Sequence, residues 1–194
     1  MDVKTLHRRA VESWQRYVDG VGVDQWNLPT PCTDWDVRAL VNHVVGEERW
    51  TGPLLDGMTI AEVGDRFDGD LLGDDPQATG REASAQAVVA VDGNLDGIAA
   101  VHLSYGDEDP AEYVHQLSAD HLIHGWDLAV AIGTDPGLDP EVVDAVAGWY
   151  AAREDIYRSA GVVGPRPADP GSDPLSRLIG AFGRDPGWEP AGLA

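Results

Sequence analysis

The chain has a single cysteine, Cys32, among 194 residues. That excludes an intrachain disulfide framework and fits a reducing compartment. Basic residues are scarce: 13 Lys plus Arg stand against 34 Asp plus Glu, a formal charge of −21 with His neutral. Nucleic-acid binding depends on neutralising phosphates with basic side chains, so it is disfavoured, as is an anionic membrane surface. The acids are scattered rather than gathered in one tail, which reads as a solvated surface. No apolar run approaches the roughly 20 residues that a membrane span needs. The stretch from Met1 to Arg9 is mixed polar and unlike a secretory signal, so the expected location is cytoplasmic. No segment alternates apolar and polar residues convincingly enough to predict a strand, and no internal repeat or low-complexity block is present.

What is present is apolar material, 43% of the residues, laid out in helical stripes and sufficient for the core of one ordinary domain. Val3, Leu6, Ala10, Trp14 and Tyr17 predict a first helix from Val3 to Val18, with His7 partly exposed at its edge. Pro29 and Pro31 hold the next loop extended. Thr33 or Asp34 is the expected N-cap of a second helix, with Asp36 in its first turn. That helix runs to about Trp50 on the spacing of Val37, Leu40, Val41, Val44 and Val45, and His43 lies on the flank of its stripe. From Gly52 to Arg81, glycines, prolines and aspartates predict a long crossover with short helical turns, placed where it can cover a site. Ala87, Val88, Val91, Leu95 and Ile98 mark a third helix. Residues 101–106 read as an extended connector.

The fourth main helix, entered at Pro110 with Asp109 as cap and ended by Gly133, organises the rest. Tyr113, Leu117, His124 and Leu128 share a narrow stripe, with Asp120 and His121 at its edges. Apolar residues cover its other faces, so it reads as buried nearly all round. Charged groups in such a place are paired, neutralised or bound to a metal. A further helix begins at Asp139 and Pro140 and runs to about Tyr157, and a short one spans Pro174 to Phe182. The expected fold is an all-α four-helix bundle over residues 1–158, with a long crossover loop and a C-terminal extension over 159–194 packed on it.

Asp120 and His124 are four apart, one turn along the same helix face, so both can converge on one ion. A third ligand must come from another helix, and His43 is the best placed. The set His43, Asp120, His124 suits a divalent transition metal, zinc first and nickel as the alternative, and leaves room for water or substrate. His43, His121 and His124 form a competing set, and a buried hydrogen-bonded cluster without metal is the other reading of the same residues.

Two motifs carry a resemblance: Pro29-Thr-Pro-Cys-Thr-Asp-Trp-Asp-Val-Arg-Ala-Leu-Val-Asn-His-Val-Val-Gly46 and Asp120-His-Leu-Ile-His-Gly-Trp-Asp-Leu-Ala129. Together they resemble the actinobacterial family around mycothiol-dependent maleylpyruvate isomerase, in the DinB-like superfamily. The resemblance implies a metal held by His43, Asp120 and His124, which decides against the set containing His121. It also implies a small-molecule thiol, mycothiol, placed at the open metal position to react with a small electrophile. The isomerase has Glu where this chain has Asp120, a carboxylate shorter by one methylene.

Asp127 is expected to order the site from behind the ligands or to pair with Arg38 or backbone N–H groups. Trp35 and Trp126 are expected in the core, with Trp35 and His121 also weighed as pocket residues. Cys32 reads as packing, or as a thiol near a helix start. Arg177 and Arg184 are basic residues that either meet an anionic substrate or form surface ion pairs. A thiol transferase or isomerase is the leading function. A non-catalytic metal- or thiol-binding bundle is the alternative, followed by a metal-dependent hydrolase. The assembly is expected to be a monomer or homodimer.

Overall fold

The computed structural model describes residues 1–190. Four long helices form the bundle: α1 (Val3–Asp19), α2 (Val37–Leu55), α4 (Pro76–Asn94) and α5 (Pro110–Ala131). The shorter α3 (Ile60–Val63) lies in the crossover, and α6 (Pro140–Tyr150), α7 (Glu154–Ser159) and α8 (Pro174–Ala181) follow the bundle. The chain is therefore mostly helical, and the all-α bundle expected from its stripes is the observed fold. Around the bundle, α1 touches α4 and α5, and α2 touches the same two, so the helices close into a ring.

Helix α5 is the centre of the molecule because 16 of its 22 residues are buried. Its start is fixed as the sequence requires: the Asp109 carboxylate accepts from the Ala111 and Glu112 amides, ahead of Pro110. Its end is fixed by Gly133, whose φ of +72° is one that side chains rarely adopt.

Several boundaries differ from expectation for local reasons. The cap of α2 is Asp36, which accepts from the Ala39 amide at 2.8 Å, not Thr33 or Asp34. The Thr30 hydroxyl donates to the Trp35 carbonyl at 2.8 Å and the Val37 amide to the Leu28 carbonyl, so residues 33–35 are used up in a turn. Helix α2 also continues through Pro53 to Leu55, and α4 starts at Pro76 behind its Asp75 cap, which shortens the crossover to residues 56–75. That crossover lies along α2: Arg38 pairs with Asp70, and Asn42 bonds the backbone of Gly69 and Leu71.

A two-stranded hairpin, β1 (Val101–Leu103) against β2 (Gly106–Glu108), stands where only a connector was expected. Three residues per strand are too few to display a period-2 pattern. His7 is 1% exposed rather than partly exposed. Both α4 and α5 pack on α1, so the edge of its stripe is covered too. With no partner for either ring nitrogen, burial and then nearby His121 push the His7 pKa down to about 3, leaving it neutral. Helix α6 stops at Tyr150, short of Tyr157. There Arg153 donates to the Trp149 carbonyl and is clamped by Glu112 of α5, which satisfies the helix end.

Beyond 159, Val163, Leu178 and Ile179 belong to the same core as α5, and Phe182 stacks on Tyr150 with ring centroids 3.9 Å apart.

Candidate metal centre

The flank of α2 and one turn of α5 face each other across a pocket of about 470 Å³. His43 projects from α2, and Asp120 and His124 from α5. His43 Nε2 lies 3.4 Å from Asp120 Oδ2, and His124 Nε2 lies 3.3 Å from Asp120 Oδ1. One donor atom from each of the three residues falls within 4.8 Å of the others. Two ligands bound tetrahedrally to zinc at about 2.0–2.1 Å would themselves be about 3.3 Å apart, so these contacts match the edge lengths of such a shell.

Asp120 Oδ2 is buried and has no hydrogen-bond partner. Its nearest donor, His43 Nε2, stands 3.4 Å away without a hydrogen bond, which leaves a buried carboxylate oxygen poorly satisfied, and a cation between the three side chains would satisfy it. Burial alone would raise the Asp120 pKa, but His124 and then His43 outweigh it and hold the carboxyl well below its usual range. Burial likewise opposes a charged His124, yet Asp120, Asp127 and Cys32 outweigh it and hold its pKa well above the ordinary imidazole value. The side chains are thus arranged to share positive charge, as a proton or as a metal.

Behind this cluster, His124 Nδ1 donates to Asp127 Oδ2 at 2.9 Å, which leaves Nε2 as the atom facing Asp120. Asp127 is fully buried and does not reach Arg38, whose partner is Asp70. Its partner is Arg184, which donates through Nη2 at 2.9 Å and through Nε at 3.3 Å. Burial opposes ionisation of Asp127, but His124 and Arg184 prevail and lower its pKa. Arg184 is therefore neither a surface ion pair nor a free cation. It reaches the site because Gly183 turns with φ +77°, at a point where a Cβ would come within 2.8 Å of the Gly164 carbonyl oxygen. Arg177, by contrast, donates to the Ser172 carbonyl and does not line the pocket.

Cys32 is not simple packing: its Sγ accepts from Arg184 Nη2 at 3.0 Å and lies 3.4 Å from Asp127 Oδ2. Cys32, His124 and Asp127 form a second group close enough to hold a metal. The Arg184 guanidinium already fills that place with a positive charge, so the group with His43 is the better fit. Trp35 lines the pocket and lies over the His43 ring, centroids 4.6 Å apart. Trp126 is in the core. His121 turns away from the pocket: Nδ1 donates to the Leu117 carbonyl at 2.7 Å, and Nε2 faces buried Glu48 at 3.1 Å.

The crossover does not border this pocket. Its far wall is α6, α7 and the tail, through Trp149, Tyr157, Val163, Phe182 and Arg184. Sequence reading missed Glu47, which also lines it. Burial and then Asp120 raise the Glu47 pKa. Its position four residues after His43 on the same helix was the available signal.

These features define an all-α bundle with a donor cluster of two imidazoles and a carboxylate at the base of a pocket. The chain belongs to the mycothiol maleylpyruvate isomerase N-terminal domain family, whose match spans residues 7–129. It is 32% identical over 171 residues to two Mycobacterium tuberculosis proteins, uncharacterized protein MT0763 of strain CDC 1551 / Oshkosh and uncharacterized protein Rv0738 of strain H37Rv. In each case the match covers 88% of this chain and 85% of the relative. No solved structure matches it. Among the described residues, no helix is long and apolar enough to cross a membrane.

Proposed function

We propose that this protein binds a divalent transition metal, zinc first and nickel as the alternative, through His43, Asp120 and His124, and uses it to transfer or isomerise through mycothiol. The observation that carries this reading is the buried Asp120 carboxylate between two imidazoles at the base of the pocket, with His124 3.3 Å from Oδ1 and His43 3.4 Å from an Oδ2 that makes no hydrogen bond. When bound, a divalent cation makes a coordinated thiol available as thiolate near neutral pH.

The chain's own residues supply the rest. Asp127 fixes the His124 tautomer, and Arg184 keeps Asp127 ionised although it is fully buried. Trp35 restrains the His43 ring. Trp149, Phe182 and Val163 wall the pocket and exclude water from the electrophile. Family membership supports mycothiol as the thiol.

The test is metal analysis of the native protein, followed by thiol-transfer assays with mycothiol and a broad panel of electrophiles. His43→Ala should lose bound metal and abolish transfer. Metal-loaded protein that transfers no thiol to any electrophile would reject the enzymatic reading. Tight thiol binding without turnover would then favour a non-catalytic binding bundle, for which the shorter Asp120 carboxylate is the motivating observation.

A further inference from the structure

The charges around the pocket select the chemical class of its second ligand. Among the described residues, Arg184 is the one Lys or Arg that lines the pocket. It makes four hydrogen bonds: two to Asp127, one to the Phe182 carbonyl and one to Cys32. A guanidinium has five N–H groups, so little of its fork is left for a ligand. Its charge is also matched by Asp127, which is fully buried beside it. Two more carboxyl groups, Glu47 and Asp120, face the same space. The positive charge of His124 is matched by Asp120, and a divalent ion held there would be matched by Asp120 together with the thiolate, so a carboxylate on the ligand would meet no uncompensated cation, and the formal charge of −21 repels anions before they arrive.

The remaining wall is apolar and aromatic. Leu117, Ile123, Trp149, Tyr157, Val163 and Phe182 all line it. The Trp149 and Tyr157 rings meet edge to face at 6.1 Å, which holds a fixed aromatic corner. A volume of about 470 Å³ accommodates a ring-sized molecule beside a thiol.

We propose that the electrophile handled by this pocket is uncharged, with an apolar, ring-sized body packed on Trp149, Tyr157 and Phe182, and that dicarboxylates are discriminated against. Maleylpyruvate, named in the family's description, is itself a dicarboxylate and falls in the disfavoured class. The inference deepens the thiol-transfer reading and takes the word electrophile from it. The preference for uncharged ligands rests on the pocket alone.

Two unreactive ligands that share one ring and differ in charge provide the test. Dimethyl phthalate and phthalate are titrated by isothermal calorimetry into metal-free protein, where no zinc is present to coordinate the phthalate carboxylates. The diester should bind about tenfold more tightly or better. Asp127→Asn, which removes the counter-charge from Arg184, should raise the affinity for phthalate and narrow the gap. Phthalate binding as tightly as the diester, or no measurable diester binding, overturns the proposal. An unchanged phthalate affinity in Asp127→Asn overturns the part assigned to the neutralised Arg184. Preferential diester binding by protein that transfers no thiol would leave the pocket's selectivity standing and remove the thiol-transfer reading. Thiol transfer combined with a preference for phthalate would do the reverse.

Discussion

Arg184→Ala tests how far the C-terminal tail supports the centre. In the native structure Asp127 is fully buried and holds His124 from one side and Arg184 from the other, while the Arg184 side chain is 16% exposed. Truncation leaves a buried carboxylate with the imidazole N–H and the Cys32 thiol as its remaining partners. Breaking a buried ion pair by removing one partner costs about 3–5 kcal/mol. For a chain of this size each kcal/mol moves Tm by about 2–4 °C, so the drop should be of order 10 °C. Asp127 is also the group that orients His124, and disturbing such a partner lowers metal affinity by about 10–100-fold. Thermal denaturation followed by circular dichroism reads the first effect, and zinc competition with a chromophoric chelator reads the second. Arg184→Lys, which keeps the charge but not the planar fork, should fall between. If Arg184→Ala melts at the native temperature and binds zinc with native affinity, the tail does not brace the centre and the account of Asp127 is wrong.

Gly183→Ala combines a disfavoured backbone conformation with a clash against Gly164, so it should lower Tm and weaken zinc binding in parallel with Arg184→Ala. Native values for both would show that another path brings Arg184 to Asp127. Glu112, which joins α5 to Arg153 and Trp149, provides a pH test. Burial opposes its ionisation, but Arg153 and Trp149 outweigh that and lower its folded pKa. Its contribution to stability is therefore full above its unfolded pKa of about 4.3 and is lost as pH falls through the lower folded value. Glu112→Gln should flatten that part of the stability profile in acid denaturation, and an unchanged acid limb would remove Glu112 as a source.

The bundle was legible because its signals are local. The stripes of α1 and α2, the Asp109–Pro110 entry to α5 and its Gly133 stop each depend on residues within a few positions of one another. Where neighbours compete for one local role the reading slipped. Thr33, Asp34 and Asp36 are all good caps, and the choice fell to Asp36 because Thr30 and Leu28 close the preceding turn. The hairpin at 101–108 was missed because its pairing is only three residues long.

The spacing of Asp120 and His124 on one turn, with a histidine on another helix flank, placed three candidate ligands from sequence. Spacing by itself left His121 in contention. What separated them in space is rotation about α5: His124 faces α2 and the pocket, whereas His121 faces Glu48 and the interior. A helix period says which residues share a face but not which neighbour that face will meet.

Arg184 and Cys32 lay further from reach, since their roles depend on contacts with Asp127 across 57 and 95 positions of chain. The sequence determined the helices, their ends and the pair four residues apart, because backbone hydrogen bonding and side-chain periodicity act over one or two turns. Only the tertiary structure decided that a tail arginine pairs with Asp127 behind His124, that the crossover lies along α2 away from the pocket, and that an aromatic wall faces the donor cluster. Those outcomes follow from how separate apolar faces pack and which charges they bury together, a property that no stretch of chain possesses alone.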